Sequence, residues 1–198
     1  MKNKSEKLDL NQLKDFLDEK VNLYNRPDFI ASDPIQIPHL FTLKEDIEIS
    51  GFLVATIAWG NRKSIINNGK RLVTLMGNSP YDYVMNFSEK DYETLKPFVH
   101  RTFNSDDLLY FFTALQHLYK NYNGLEGVFS KYAKPSSLQP AIHHFKKIFF
   151  ELSHLSRTQK HISDPLKNSA AKRINMFLRW MVRNDTTGVD FGLWKNIS

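Results

Sequence analysis

The segment between Ile47 and Trp59 constrains the fold most, because it is apolar on almost every side of a helix. A helix that is hydrophobic all round is buried, either in a protein core or in a membrane. This segment is interrupted by Glu48, Ser50 and Thr56, and it is shorter than the roughly 20 apolar residues that span a bilayer. The sequence therefore predicts a helix at the centre of a globular core, and no membrane association.

Helix start and stop signals recur along the rest of the chain, and no segment shows the sustained alternation of a strand between hairpin turns. Asn104 or Ser105 begins an amphipathic helix that Gly124 closes. The last helix is predicted from about residue 169 to residue 183. We therefore expect an all-α fold, a multi-helix orthogonal bundle, in one domain over residues 1–198 with a weak sub-lobe boundary near 134–140.

Composition excludes several classes of site. The chain contains no cysteine, so disulfides, cysteine-ligated zinc and iron–sulfur clusters are excluded. The N-terminal sequence MKNKSEK is charged and lacks the apolar region of a secretory signal, so we expect a cytoplasmic protein. No phosphate-binding loop, zinc-protease motif or hydrolase elbow occurs, and we expect no metal and no cofactor. Nothing in the sequence indicates an oligomeric state.

Positive charge is concentrated in one part of the chain. The formal net charge is +6, from 27 basic and 21 acidic residues. Between residues 157 and 183 the only acid is Asp164, and the basic residues are Arg157, Lys160, Lys167, Lys172, Arg173, Arg179 and Arg183. This window carries the whole excess, and the rest of the chain sums to zero. Charge gathered in this way favours a polyanionic partner such as DNA.

A row of polar side chains follows one face of the last helix. Lys172, Asn175, Arg179 and Arg183 are three or four residues apart, as neighbours on a helix surface are. Such a row is able to hold successive phosphates, with Trp180 beside it to stack on a base. Spacing alone favours another interpretation of the row, a solvated helix face whose cations are stabilised by the negative end of the helix dipole. The alternative for Trp180 is a tryptophan in the core. The phosphate hypothesis fails if internal carboxylates pair with these cations.

Two further polar spots are candidate contacts with nucleic acid. Asn61 and Arg62 follow Gly60 at a corner between two helices, where an exposed helix N-terminus is able to bind an anion. The alternative is an ordinary capped corner. His100 and Arg101 stand just before the helix that starts near residue 104, and the alternative there is a structural loop held by side-chain hydrogen bonds.

Five segments together resemble a bacterial family of unknown function, of the Bacteroides type. They are DPIQIPHLF (33–41), EISGFLVATIAWGNR (48–62), LMGNSPYDYV (75–84), HRTF (100–103) and KNSAAKRINMFLRWMVRNDTTGVDFGLW (167–194). That family in turn is distantly similar to the helix–hairpin–helix DNA glycosylases. The resemblance implies an all-helical, DNA-glycosylase-like fold and a role in DNA repair.

The glycosylase resemblance also implies a catalytic residue. In those enzymes a lysine at the start of a helix attacks C1′ of a flipped-out nucleotide, and a downstream aspartate supports the developing charge. Lys172 matches that lysine, and the neighbouring charge of Arg173 favours the unprotonated amine. The glycine-rich hairpin of the glycosylases is altered or missing here, because residues 167–171 contain no glycine. The chain also stops before the family's aspartate-containing stretch, and Asp185 and Asp190 stand in a different context.

Three functions remain open at this stage. The first is a glycosylase-like or lyase-like DNA repair enzyme with Lys172 as its nucleophile. The second is a DNA- or RNA-binding module without catalysis that uses the same basic helix. The third is a helical protein-interaction domain with an acidic partner. The localised charge favours the first two, and the missing aspartate favours the second over the first.

Overall fold

A computed structural model describes residues 9–197, and these residues are mostly helical, as predicted. The α-helices are α1 (Leu10–Tyr24), α2 (Lys44–Thr56), α3 (Arg62–Leu75), α4 (Pro80–Asn86), α5 (Tyr92–Leu95), α6 (Ser105–Asn121), α7 (Gly124–Tyr132), α8 (Gln139–Phe149) and α9 (Lys172–Val182). Short 3-10 segments occupy much of the remaining chain, including Pro165–Lys167 before α9. No helix within residues 9–197 is long and apolar enough to cross a membrane.

Residues 9–197 also contain one small hairpin, which is consistent with the all-α prediction because the structure stays mostly helical. Strands β1 (Val99–His100) and β2 (Phe103–Asn104) pair antiparallel, with His100 opposite Phe103. Strands of two residues are too short to produce the alternating pattern by which a sheet is recognised in a sequence. Asn104 then begins α6 with a capping box, in which its side chain and that of Asp107 each accept the other's backbone N–H.

Helix α2 lies at the centre of the core, which confirms the prediction from its composition. Every residue from Ile47 to Thr56 is buried, and α2 packs against α3, α4 and α9. The Phe52 ring meets four other phenylalanine rings, with centroid distances of 5.5 to 5.8 Å, from Phe111, Phe145, Phe149 and Phe177. Burial of each such ring stabilises the fold by about 1.5 to 3 kcal/mol.

One carboxylate, that of Glu48, is buried on α2 with 2% of the residue exposed. Its two oxygens accept hydrogen bonds of 2.6 Å from the Tyr119 hydroxyl and from the Trp194 indole N–H. Burial raises the pKa of Glu48, and these hydrogen bonds oppose that rise. Glu48 therefore joins α2 to α6 and to the segment that follows α9.

The segment after α9 folds back along that helix. The backbone N–H groups of Phe191 and Trp194 donate to the carbonyls of Trp180 and Met181, at 2.8 and 2.9 Å. Trp180 itself is only 3% exposed, so the prediction that it stacks on a base is wrong and the core interpretation is confirmed. Phe177 of α9 lies against Phe52 of α2, and Trp194 of the returning segment packs on the same Phe177 ring.

Helix α9 begins later than the sequence predicts, at Lys172 instead of about residue 169. The reason is Ala171, whose φ of +46° places it in the left-handed region and interrupts the helical backbone. Asn168 is also left-handed, with φ of +59°. Residues 168–171 therefore form a turn between the 3-10 segment and α9.

Removal of the Glu48 carboxylate should destabilise the protein. In Glu48→Ala the Tyr119 hydroxyl and the Trp194 N–H lose their acceptor inside the core, and we expect the free energy of unfolding to fall by about 3 kcal/mol. Glu48→Gln keeps one acceptor oxygen and should lose less. Urea unfolding followed by circular dichroism measures both, and a loss below about 0.5 kcal/mol in Glu48→Ala would contradict the role given to this carboxylate.

Candidate nucleic-acid interface

The corner between α2 and α3 is built around Gly60 and Asn61. Gly60 has φ of +101°, a conformation that side-chain-bearing residues rarely adopt. The Asn61 side chain accepts a hydrogen bond of 3.2 Å from the backbone N–H of Ser64 and so caps α3. Asn61 is thus a capping residue, as the alternative interpretation of this corner has it, and its contact with nucleic acid stays a prediction.

His100 holds the hairpin against this corner. Its Nδ1 accepts a hydrogen bond of 3.0 Å from the Asn68 amide, and its Nε2 donates to the Trp59 carbonyl at 3.3 Å. His100 is 3% exposed, and burial lowers its pKa, which favours the neutral ring that this hydrogen-bond pattern requires. Both ring nitrogens of His100 therefore have internal partners, and its contact with nucleic acid stays a prediction.

Arg101 lies at the tip of the hairpin and remains exposed. Its φ of +55° is left-handed, and its guanidinium lies across Gly60, where a Cβ atom would come within 2.7 Å of Nη1. The two polar spots that the sequence leaves separate, at residues 61–62 and 100–101, thus come together around Trp59. Arg101 and Arg62 are the cations of these spots, and both remain exposed.

Arg173 points into the protein instead of outward. Its guanidinium lies 4.7 Å from the centroid of the Trp59 ring and donates hydrogen bonds to the carbonyls of Thr56 and His161. Burial lowers the pKa of Arg173. Arg173 thus attaches the first turn of α9 to the α2–α3 corner, and its contact with a phosphate stays a prediction.

Arg179 and Arg183 pair with one buried carboxylate, that of Asp190. Arg179 Nε donates to Asp190 Oδ2 at 3.0 Å, and Arg183 Nε forms an ion pair of 2.5 Å with the same oxygen. Arg183 also contacts Asp185 at 3.2 Å and donates to the Asn25 side chain. The predicted row on α9 is therefore not one free cationic surface, although half of the Arg179 side chain stays exposed.

Arg62 is the first residue of α3. Burial raises the pKa of Asp33, and the hydrogen bond from the backbone N–H of Ile35 and the charges of Arg62 and Arg179 partly offset that rise. Arg62 is exposed, and within residues 9–197 no ion pair involves it.

Arg157 is also neutralised internally. Its Nη1 atom lies 2.9 Å from Asp107 Oδ2, and the Asp107 side chain is completely buried. Burial raises the pKa of Asp107, but hydrogen bonds from His161, Thr158 and the backbone of Asn104 outweigh burial and bring it to about 2. Asp107 is thus ionised at neutral pH and holds the charge of Arg157.

The turn at residues 168–171 leaves the N-terminus of α9 open. The N-cap residue is Ala171, which has no side-chain acceptor for the first N–H groups of the helix. Lys167 and Lys172 are exposed on either side of the turn, and no acid among the described residues pairs with them. Asn175 is exposed, and its amide donates to the carbonyl of Ala170 at 3.1 Å. Lys172 and Asn175 therefore stay together at the start of α9, apart from the two arginines.

A comparison of the sequence with protein-family models identifies the family of this chain. A family model described as a protein of unknown function, DUF2400, matches residues 33–198. The chain belongs to the DUF2400 family. No curated protein and no solved structure matches it. Membership confirms the predicted resemblance to a family of unknown function, and the similarity to DNA glycosylases stays a prediction.

Sequence reasoning missed one basic surface of this DUF2400 chain. Helix α3 exposes Arg62, Lys63, Lys70 and Arg71, and no acid occurs between Glu48 and Asp82. A net-charge sum over the whole chain hides this surface, because acids elsewhere cancel its four cations. The absence of acidic residues from the sequence between Glu48 and Asp82 is the signal that indicates this basic surface.

The left-handed turn predicts a distinct response to substitution at position 168. Asn168→Gly should change the free energy of unfolding by less than about 0.5 kcal/mol, since glycine and asparagine both adopt this conformation. Asn168→Val should lose about 1 to 2 kcal/mol, because a β-branched residue is strongly disfavoured there. Urea unfolding measures both variants. Equal stability of the valine and glycine variants would show that residue 168 is not left-handed.

Proposed function

We propose that this DUF2400 chain binds the phosphate backbone of DNA through the turn at residues 168–171 and the N-terminus of α9. The observation that carries this proposal is an uncapped helix N-terminus that two exposed lysines, Lys167 and Lys172, flank without an acidic partner among the described residues. Helix N-termini bind anions because their first N–H groups have no acceptor and the helix dipole is positive there.

The turn itself supports the proposal. A left-handed residue that follows a right-handed one orients successive backbone N–H groups toward the same concave side, which suits an anion. Asn168 follows the 3-10 segment Pro165–Lys167 in this way. The glycosylase resemblance implies a glycine-rich hairpin at this place in the chain. Glycine suits such a hairpin because it adopts left-handed backbone conformations, and residues 168 and 171 adopt them without being glycine.

The expected affinity is modest, because much of the basic window is used internally. Arg157, Arg173, Arg179 and Arg183 contact internal groups, whereas Lys160, Lys167 and Lys172 are exposed without an ion pair in the described part of the chain. With about three phosphate contacts, the logarithm of the DNA-binding constant should fall with the logarithm of salt concentration with a slope of about −3.

Substitution of the two flanking lysines tests the proposal. Lys167→Ala and Lys172→Ala should each weaken duplex DNA binding at low salt and reduce the salt slope by about 1, independently of DNA sequence. Fluorescence anisotropy with a labelled duplex at several salt concentrations measures both quantities. Lys90→Ala, which removes an exposed lysine between α4 and α5, is the control and should change neither.

Unchanged binding in both lysine variants would contradict the assignment to this turn. Absence of duplex binding by the unaltered protein at low salt would contradict the proposal as a whole. The hypothesis of an acidic protein partner would then take its place, since it uses the same lysines without requiring DNA.

A second candidate function is a DNA glycosylase or lyase with Lys172 as its nucleophile. Lys172 is the first residue of α9 and directly follows the left-handed turn, which is the position of the catalytic lysine that the resemblance implies. Its amine would condense with the C1′ aldehyde of an abasic site, expel water and form an imine. Asp190 is not available as the supporting acid, because it pairs with Arg179 and Arg183.

Borohydride trapping on abasic-site DNA tests this second function. The unaltered protein should give a covalent adduct, because borohydride reduces the imine to a stable amine. Lys172→Arg keeps the charge and the DNA contact but forms no imine, so it should bind the DNA without an adduct. Failure of the unaltered protein to give an adduct removes the enzymatic hypothesis and leaves the binding function intact.

A further inference from the structure

We propose that the cavity beside Trp59 binds a phosphate monoester, such as the terminal phosphate of a nucleotide. The cavity lies at the α2–α3 corner and is separate from the turn before α9. It has a volume of about 250 Å³, and its polar lining comes from Trp59, Asn61, Ser64, Asn68, His100 and Arg101. Among the residues that the structure describes, no acidic side chain lines it.

The cavity is held in shape by groups that already have partners. His100 joins the hairpin to Asn68 and to the Trp59 carbonyl, and Asn61 caps α3. Arg173 packs on the Trp59 ring from the side of α9. These contacts fix the walls, so the cavity needs little rearrangement to receive a ligand.

The remaining polar groups of the lining are donors. Arg101 is exposed, and no ion pair of the described residues includes it. The Ser64 hydroxyl and the Trp59 indole N–H take part in no hydrogen bond within residues 9–197. Arg101, Ser64 and Trp59 line the cavity and carry a guanidinium, a hydroxyl and an indole N–H, which are donors that match the several acceptor oxygens of a phosphate.

The backbone at Arg101 supports a binding role. A left-handed conformation is unfavourable for arginine, and a hairpin tip of this kind normally carries glycine or asparagine. Non-glycine residues with such backbones occur preferentially at ligand sites. Here the conformation places the guanidinium across Gly60, at the mouth of the cavity.

Size and charge indicate the class of ligand. Pockets that enclose a whole small molecule have volumes of about 300 to 1,000 Å³, so this cavity suits a single anionic group better than an entire nucleotide. Arg62 and Lys63 are exposed next to it at the start of α3, and both add positive charge. This surrounding positive charge attracts a dianionic terminal phosphate more strongly than it attracts a carboxylate, which carries a single negative charge.

Two sources present this chemistry, the 5′-phosphate of a DNA strand and a free nucleoside monophosphate. Titration calorimetry of the whole chain should use a short single-stranded oligonucleotide with a 5′-phosphate, the same oligonucleotide with a 5′-hydroxyl, and adenosine monophosphate. We expect the phosphorylated oligonucleotide to bind about tenfold more tightly than its hydroxyl counterpart. Binding of the monophosphate alone would support the site with a free nucleotide as its ligand.

Arg101→Gly is the decisive variant, because glycine relieves the left-handed backbone while it removes the guanidinium. It should abolish the preference for the phosphate without lowering the midpoint of urea unfolding. Lys70→Ala, an exposed lysine of α3, is the control and should keep the preference. Bound phosphate should also change the emission of half-buried Trp59, since Trp180 and Trp194 are 3% and 1% exposed.

Equal binding of the two oligonucleotides, together with no binding of the monophosphate, would overturn this inference. An unchanged phosphate preference in Arg101→Gly would also overturn it. Neither result would contradict the proposed binding of duplex DNA at the turn before α9, because duplex binding and its salt slope are measured in a separate experiment. Conversely, Lys172→Ala should leave the preference for the 5′-phosphate intact.

Discussion

A carboxylate within a hydrophobic core is tolerated only where hydrogen-bond donors surround it, and the arrangement around Glu48 depends on this requirement. Its donors come from α6 and from the segment after α9, so Glu48 connects both elements to α2. The same arrangement brings the returning segment along α9 and places Asp190 beside Arg179 and Arg183. The environment of the basic residues therefore follows from the packing of the core.

The formal net charge of this protein differs from the positive charge that is exposed and has no internal partner. The basic window of α9 and its preceding segment holds the whole formal excess, yet buried acids and backbone carbonyls contact its four arginines. Arginine suits such internal roles, because its planar group makes several directed hydrogen bonds and is less strongly hydrated than an ammonium group. The exposed cations that remain are mainly lysines, together with Arg26, Arg62, Arg71 and Arg101.

Periodicity predicted the central position of α2, the apolar face of α9 and the start of α6, because these features depend on local spacing and burial. It failed where the outcome depends on tertiary partners. Arg173 and Arg183 look alike in the sequence, and only the fold shows that one meets Trp59 and the other Asp190. The left-handed Ala171 was also missed, because alanine favours helix and nothing local indicates the turn.

The contact between Arg173 and Trp59 fixes the separation of two surfaces. Arg173 belongs to the first turn of α9, and Trp59 lines the cavity at the α2–α3 corner, so the turn at residues 168–171 and that cavity are attached to one rigid junction. A strand that reaches both places must match their spacing, since neither is carried on a long flexible linker. Under the two proposals, this junction would favour strands in which the distance from the terminal phosphate to an internal phosphate matches the distance from the cavity to the turn.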